Sequence, residues 1–353
     1  MAGMHDKKMR PMFIGLGLTG FIALGSAAFA QDPSGPAPAP ATAGMAHESP
    51  ASRAMIDELK SKVPLYKDFT DQQLALSMQR MGGNFAVYMS DPSMTGAVGM
   101  LVLTHGFGGK GNEVFKSQVG QMASVFPTSI AFGMSMLTSA HIQTALDQLA
   151  AAGVKRIIVI PALSTSHNSL LRQWEYIFGM RDKAEYATVP RVHTKAKITF
   201  APPLDDNPLV AEAMLDFANG LSTDPANEVV ILIAHGPTAQ KDNAAELATL
   251  ATLAGYMKQD GAFSDVKWLT LQDDAPRKIR DKNVAALRQM VAEESAAGHQ
   301  VLIVSNLMAT RSIQSKIRKD LKGLNYKFAS EGLTEHPNFV KWLGDVMHDE
   351  LLP

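Results

Sequence analysis

The chain has 353 residues, a formal net charge of −1 and no cysteine. A near-neutral balance excludes the basic footprint of a nucleic-acid binder or of a protein held on anionic membrane surfaces, so the expected partner is a small molecule. Without cysteine there are no disulfides, no thiolate ligands and no lipid-carrying residue behind a leader, so any metal must be met by nitrogen and oxygen; the length allows two domains that each bury a core.

Residues 1–30 read as a cleavable signal peptide. Lys7, Lys8 and Arg10 give a positive start, residues 12–24 an apolar centre, and Ala28-Phe29-Ala30 a small-x-small cleavage site. The apolar centre is broken by glycines and falls short of the ~20 residues a span needs, so no stable membrane span is expected after cleavage behind Ala30. A periplasmic or secreted protein is the expectation. Residues 31–52 are a Pro/Ala-rich linker whose composition cannot bury a core. Residues 53–98 form an N-terminal helical extension, with helical spacing over 55–66 and 70–81, Thr70 as a cap, and a turn-rich entry over 82–99.

From residue 99 onward short apolar runs alternate with longer amphipathic ones, the pattern of βα units and a parallel sheet. Strands are predicted over 100–104, 129–134, 156–161 and 197–201, then over 229–234, 267–271, 300–304 and 326–329. Helices are predicted over 112–125, 139–152, 170–179 and 208–219, then over 243–258, 276–297, 312–321 and 337–348. The halves repeat each other. LVLTHGFGG, with His105, aligns with VILIAHGPT, with His235; IIVIPALSTSHNSL aligns with VLIVSNLMATRSIQ, setting His167 against Arg311; and Pro208 stands opposite Pro337 at the start of each last helix. The expected architecture is α/β, with tandem lobes over 99–222 and 223–353, each a four-stranded parallel sheet flanked by helices, facing across a cleft. Duplication supplies both lobes in one chain, so a monomer suffices.

Ligands of parallel sheets bind beyond the carboxyl ends of the strands. His105 follows the first strand of its lobe and His167 follows the third by six residues, so a strand order of 2-1-3-4 makes them neighbours over one pocket. Two neutral imidazoles suit borderline divalent ions and also proton transfer near neutral pH. Gly106, Gly108, Gly109 and Gly111 permit close backbone approach, yet the spacing and Lys-Ser/Thr ending of a phosphate loop are missing, so no nucleotide is expected.

LVLTHGFGG followed by VIPALSTSH resembles the CbiX/SirB family of class II tetrapyrrole chelatases, and the duplication resembles its long, two-lobed form. The resemblance implies chelatase-like lobes and a lyase-class enzyme that inserts a divalent metal substrate into a tetrapyrrole. Cobalt is the first choice, as in sirohydrochlorin cobaltochelatases, with nickel, iron or zinc as alternatives. It implies that His105 and His167 are the metal-handling and catalytic pair, with ligand and base unassigned between them. An acidic macrocycle needs cations, and Lys110, Arg172, Lys241 and Arg311, with His235, are the substrate-binding candidates. After the second histidine the chain departs from the family's acidic segment into a longer aromatic insertion. Trp174, Tyr176 and Phe178 there could cover a flat ring or fill the core, and Glu175 or Glu185 could supply the missing carboxylate. His141, His193, His299, His336 and His348 have no paired partners and are read as structural. The alternative is a non-catalytic periplasmic carrier of metal or haem on the same fold; a two-lobed solute-binding protein is a third reading, which does not explain the two histidines.

Overall fold

The computed structural model describes residues 53–82, 85–310 and 312–352. The expected signal peptide and linker, and Arg311, lie outside the described residues. In chain order the elements are α1 (Arg53–Lys62), a 3-10 turn (Pro64–Tyr66), α2 (Asp71–Gly82), β1 (Ala86–Met89), β2 (Val98–Thr104), α3 (Gly109–Gly120), β3 (Thr128–Phe132), α4 (Ala140–Ala151), β4 (Arg156–Pro161), α5 (Ser169–Ile177), β5 (Lys197–Phe200) and α6 (Pro208–Leu221). The second half follows with β6 (Glu228–Ala234), α7 (Gln240–Asp260), β7 (Asp265–Thr270), α8 (Arg277–Ala296), β8 (Gln300–Asn306), α9 (Ser312–Asp320), β9 (Lys327–Ala329) and α10 (Pro337–Leu351). Among the described residues no helix is long and apolar enough to cross a membrane.

The second sheet runs β7-β6-β8-β9 and is parallel throughout, the expected 2-1-3-4 order. In the first sheet β3-β2-β4-β5 repeats that order, but an extra edge strand makes it five-stranded and mixed: β1 pairs antiparallel with β3, Ala86 opposite Phe132 and Met89 opposite Ser129. The expectation of four parallel strands is corrected for this lobe. β1 has only four residues and is followed by turn formers, so its alternation is too short to read.

Alternation along the central strands sorts side chains into three cores. Met100, Val102, Ile158 and Ile160 on the first sheet and Val230, Leu232, Leu302 and Val304 on the second all enter one core. Leu101, Leu103, Ile157 and Val159 point into a core private to the first lobe. Ile231, Ile233, Val301 and Ile303 do the same in the second. The shared core exists because the two equivalent helices are exchanged. α6 ends the first lobe yet packs on α7, β8 and β9; α10 ends the second and packs back on α3, α6 and β4. Asn207 and His336 cap these helices, each by accepting a hydrogen bond from the backbone two residues on, and each helix starts with the proline that the repeat aligned. The two sheets are therefore joined through one shared core.

The aromatic insertion resolves in favour of the core. Trp174 and Tyr176 are buried in the private core of the first lobe, and Phe178 packs against Phe200 with ring centroids 5.4 Å apart. α5 keeps its apolar residues on one face, so burial follows and a ring-covering lid does not. The N-terminal helices form a fourth cluster instead. Ile56, Leu59, Tyr66 and Leu74 pack on Met136, past the end of β3, and on Ala187. Lys62 donates to the carbonyls of Ala184 and Tyr186, both at 2.9 Å, and Glu58 accepts from the backbone N–H of Thr188 at 2.8 Å.

Candidate metal-handling site at the strand ends

β2 and β4 are hydrogen-bonded neighbours with Leu103 opposite Pro161, so the chain leaving β2 at His105 and the chain leaving β4 toward His167 emerge side by side. Both histidines are half-buried. Each lobe uses its His-Gly pair the same way. Gly106 has φ +83° and Gly236 φ +77°, a left-handed turn that glycine tolerates best. A Cβ on Gly236 would also lie 2.6 Å from the Thr270 Cβ, so no side chain fits there. The turn folds each carbonyl back onto the preceding ring: His105 Nδ1 is 2.5 Å from the Gly106 oxygen and His235 Nδ1 is 3.2 Å from the Gly236 oxygen. A ring that donates from Nδ1 presents Nε2 as its lone-pair nitrogen, which is how a backbone carbonyl orients a metal-binding histidine. Phe107 braces the His105 ring edge-on at 4.8 Å.

The second lobe adds carboxylates. The segment leaving β7 brings Asp273 and Asp274 to His235, and one donor atom from each lies within 4.8 Å of the others, an arrangement able to hold a metal ion. The three are not equivalent. Asp273 accepts from Arg280 at 2.8 Å and Lys316 at 2.6 Å, and against the opposing effect of burial these cations hold its carboxyl below the ordinary range. Asp274 has His235 Nε2 at 3.4 Å. Burial opposes a charged imidazole at His235, but Asp274, and behind it Asp273, outweigh it and raise the pKa to about 9. Without a metal, then, His235 and Asp274 form an ion pair. From the N-terminal extension, Tyr66 approaches near enough that burial and the Asp274 charge together push its phenol up to about 12.

The remaining candidates are placed as follows. Lys110 and Lys241 are exposed in the first turns of α3 and α7, equivalent positions behind His105 and His235. The Arg172 guanidinium is committed to Glu185 at 2.8 Å and to Asp242 of the second lobe at 2.9 Å. Glu175 pairs with Arg181. Of the histidines read as structural, His141 is buried against the Ser135 hydroxyl at 3.0 Å and burial lowers its pKa to about 3; His299 pairs with Glu294 at 2.8 Å and His336 with Asp216 at 3.2 Å.

Asp242, Glu246, Asp273 and Asp274 escape a reading of the sequence that follows the repeat. For Asp273 and Asp274 the signal was the Gln-Asp-Asp run directly behind a predicted strand, but the equivalent position in the first lobe, Met134-Ser135-Met136, carries no acid, so the alignment gives it no weight.

Comparison with known proteins bears on the fold. The CbiX family model matches residues 99–219. No curated protein matches the chain. Among solved structures it is similar to SirB from Bacillus subtilis with Fe3+, at 18% identity and a TM-score of 0.52, covering 72% of this chain and 95% of that one. It is also similar to a multi-domain protein from Deinococcus radiodurans with structural similarity to chelatases, at 17% identity and a TM-score of 0.46, covering 71% and 55%. The fold is of the CbiX/SirB chelatase-like type, carrying a His/Asp cluster able to hold metal.

Proposed function

We propose that the protein handles a divalent metal ion at its strand ends and inserts it into a tetrapyrrole, in the manner of a sirohydrochlorin cobaltochelatase. The observation that supports this best is the pairing of β2 with β4, which sends His105 and the His167 segment out of adjacent strands over one edge. Insertion converts a free macrocycle and an M2+ ion into the metallated ring and two protons. It needs a donor that holds the ion as it sheds water and a base that takes the pyrrolic N–H protons. Two imidazoles supply both, one by its lone pair to the metal and one as proton acceptor. Lys110 and Lys241, exposed at equivalent helix starts, are the cations this reading assigns to substrate carboxylates. The leader read in residues 1–30 supports a periplasmic setting for this chemistry.

The second reading is a periplasmic carrier that binds metal or haem without catalysis. What favours it is the His235, Asp273 and Asp274 cluster, whose oxygen-rich donor set suits holding an ion. Calorimetric titration with Co2+ tests metal handling as such. The His105→Ala, His167→Ala double variant should weaken binding by at least about tenfold, or ~1.4 kcal/mol. Unchanged affinity there, with loss in His235→Ala, would move the metal to the second lobe.

A further inference from the structure

Arg172 joins three parts of the chain at one nitrogen. Its Nη2 donates to the Ser169 hydroxyl at 3.0 Å in the first turn of α5, to Glu185 at 2.8 Å in the insertion that follows, and to Asp242 at 2.9 Å. Asp242 belongs to the first turn of α7, in the other lobe. The Arg172 and Asp242 side chains are only 19% and 22% exposed, so water and salt screen this pair less than one on the open surface. In the repeat Arg172 stands opposite Lys316, which meets Asp273 of its own lobe at 2.6 Å. Of the two cations, Arg172 is the one that crosses between lobes.

Each end of the pair reaches a histidine turn. In the first lobe, Asn168 follows His167 directly and caps α5 by accepting from the backbone N–H of Leu170 at 2.7 Å; Ser169, which Arg172 holds, lies between them. In the second lobe the residue after Asp242 is Asn243. Its Oδ1 accepts from the Thr270 hydroxyl at 2.6 Å and would lie 3.1 Å from a Cβ built on Gly236, so the start of α7 packs against the turn that follows His235. Glu185 is itself held in place. Lys62 of the N-terminal extension donates to the carbonyls on either side of it, Ala184 and Tyr186, and the Tyr186 N–H donates to the Gln173 side chain at 2.9 Å.

We propose that Arg172 is a positioning residue that, through Asp242, ties the start of α5 beside His167 to the start of α7 beside the His235 turn. Glu185, set by the insertion and the N-terminal helices, holds the guanidinium from behind, which gives these two parts outside the repeat a task at the site. The value of the tie for metal rests on the reading of His167 as metal-handling, but its first test does not. Hydrogen exchange of the intact folded protein, read by mass spectrometry on peptides covering residues 165–174 and 240–248, reports the tie directly. Arg172→Met removes the charge and keeps the stem, and should speed exchange in both peptides by about threefold or more. Arg172→Lys restores several donors on one nitrogen, the way the contacts are made, and should stay within about twofold of the wild type. If Arg172→Met fails to fold, Asp242→Asn breaks the same tie from the second lobe and should speed the first-lobe peptide to a similar degree. Unchanged exchange, faster exchange confined to the peptide that carries the substitution, or a lysine variant as fast as the methionine one overturns the proposal.

Co2+ titration of the same variants connects the tie to metal. Losing an outer partner of a metal ligand costs about 10–100-fold in affinity, and Arg172 acts a step further out, so Arg172→Met should bind Co2+ about threefold or more weakly and Arg172→Lys within about twofold. Faster exchange with undiminished Co2+ affinity would leave the positioning role standing and tell against His167 as the metal residue.

Discussion

Replacing Trp342 with alanine probes the exchange of helices that fuses the lobes. Trp342 lies on α10, is 1% exposed in the shared core, and stacks near Phe339 at 5.7 Å, while α10 itself covers β4 and α3 of the opposite lobe. Truncating a fully buried tryptophan costs about 3–5 kcal/mol, from lost transfer energy and from the cavity left behind. For a folded body of this size each kcal/mol lowers Tm by about 2–4 °C, so the variant should melt roughly 6–20 °C lower. The sharper expectation concerns cooperativity. Since Val102 and Val304 of the two sheets enter one core, hydrogen exchange should show β2 and β6 losing protection by the same free energy, and calorimetry should show one transition. Trp174→Ala, in the private core of the first lobe, is the control; it also removes the indole hydrogen bond to the Ser135 hydroxyl at 3.0 Å. Two separated transitions in Trp342→Ala, with only the lobe that α10 belongs to destabilised, would refute the shared core.

Asp274→Asn should lower stability at neutral pH by roughly 1 kcal/mol, a value discounted for the partial exposure of the pair. The His235 pKa is raised to about 9, so this contribution is fully present below the unfolded histidine value near 6.5 and fades as pH rises through 9. The Asp274 pKa is lowered, chiefly by His235 against opposing burial, so on the acid side the contribution is lost as pH falls through that depressed value. Denaturant midpoints of wild type and variant should therefore converge above pH 9; a gap that persists there would contradict the ion pair. Gly236→Ala should cost about 2 kcal/mol or more, from its φ of +77° and the contact with Thr270, and should disturb His235 as judged by its NMR titration. An alanine variant with wild-type stability and an unshifted His235 would show the turn to be dispensable.

What the sequence makes legible is what repeats. Strand order, both strand-end histidines and the two proline-started helices follow from short apolar runs and from their recurrence one lobe later. Exchange of α6 and α10 was not legible, because a helix shows which face it buries and not which sheet receives it. β1 was hidden by its four residues and its turn-rich flank. The acids of the site were hidden for two reasons. Asp273 and Asp274 break the repeat, and Glu246 sits on an otherwise apolar face of α7. Trp174, read as either cover or core, shows the limit of pattern: only packing decides between a ring that meets a ligand and one that meets Ser135.

The most direct test of the account is an anaerobic absorbance time course of sirohydrochlorin with Co2+, in the presence of the mature protein or of its His105→Ala, His167→Ala variant. The account predicts spectral conversion accelerated over the protein-free reaction by the wild type and not by the variant. Histidine-dependent metal binding with no acceleration by either protein would contradict it and identify a carrier on a chelatase-like fold.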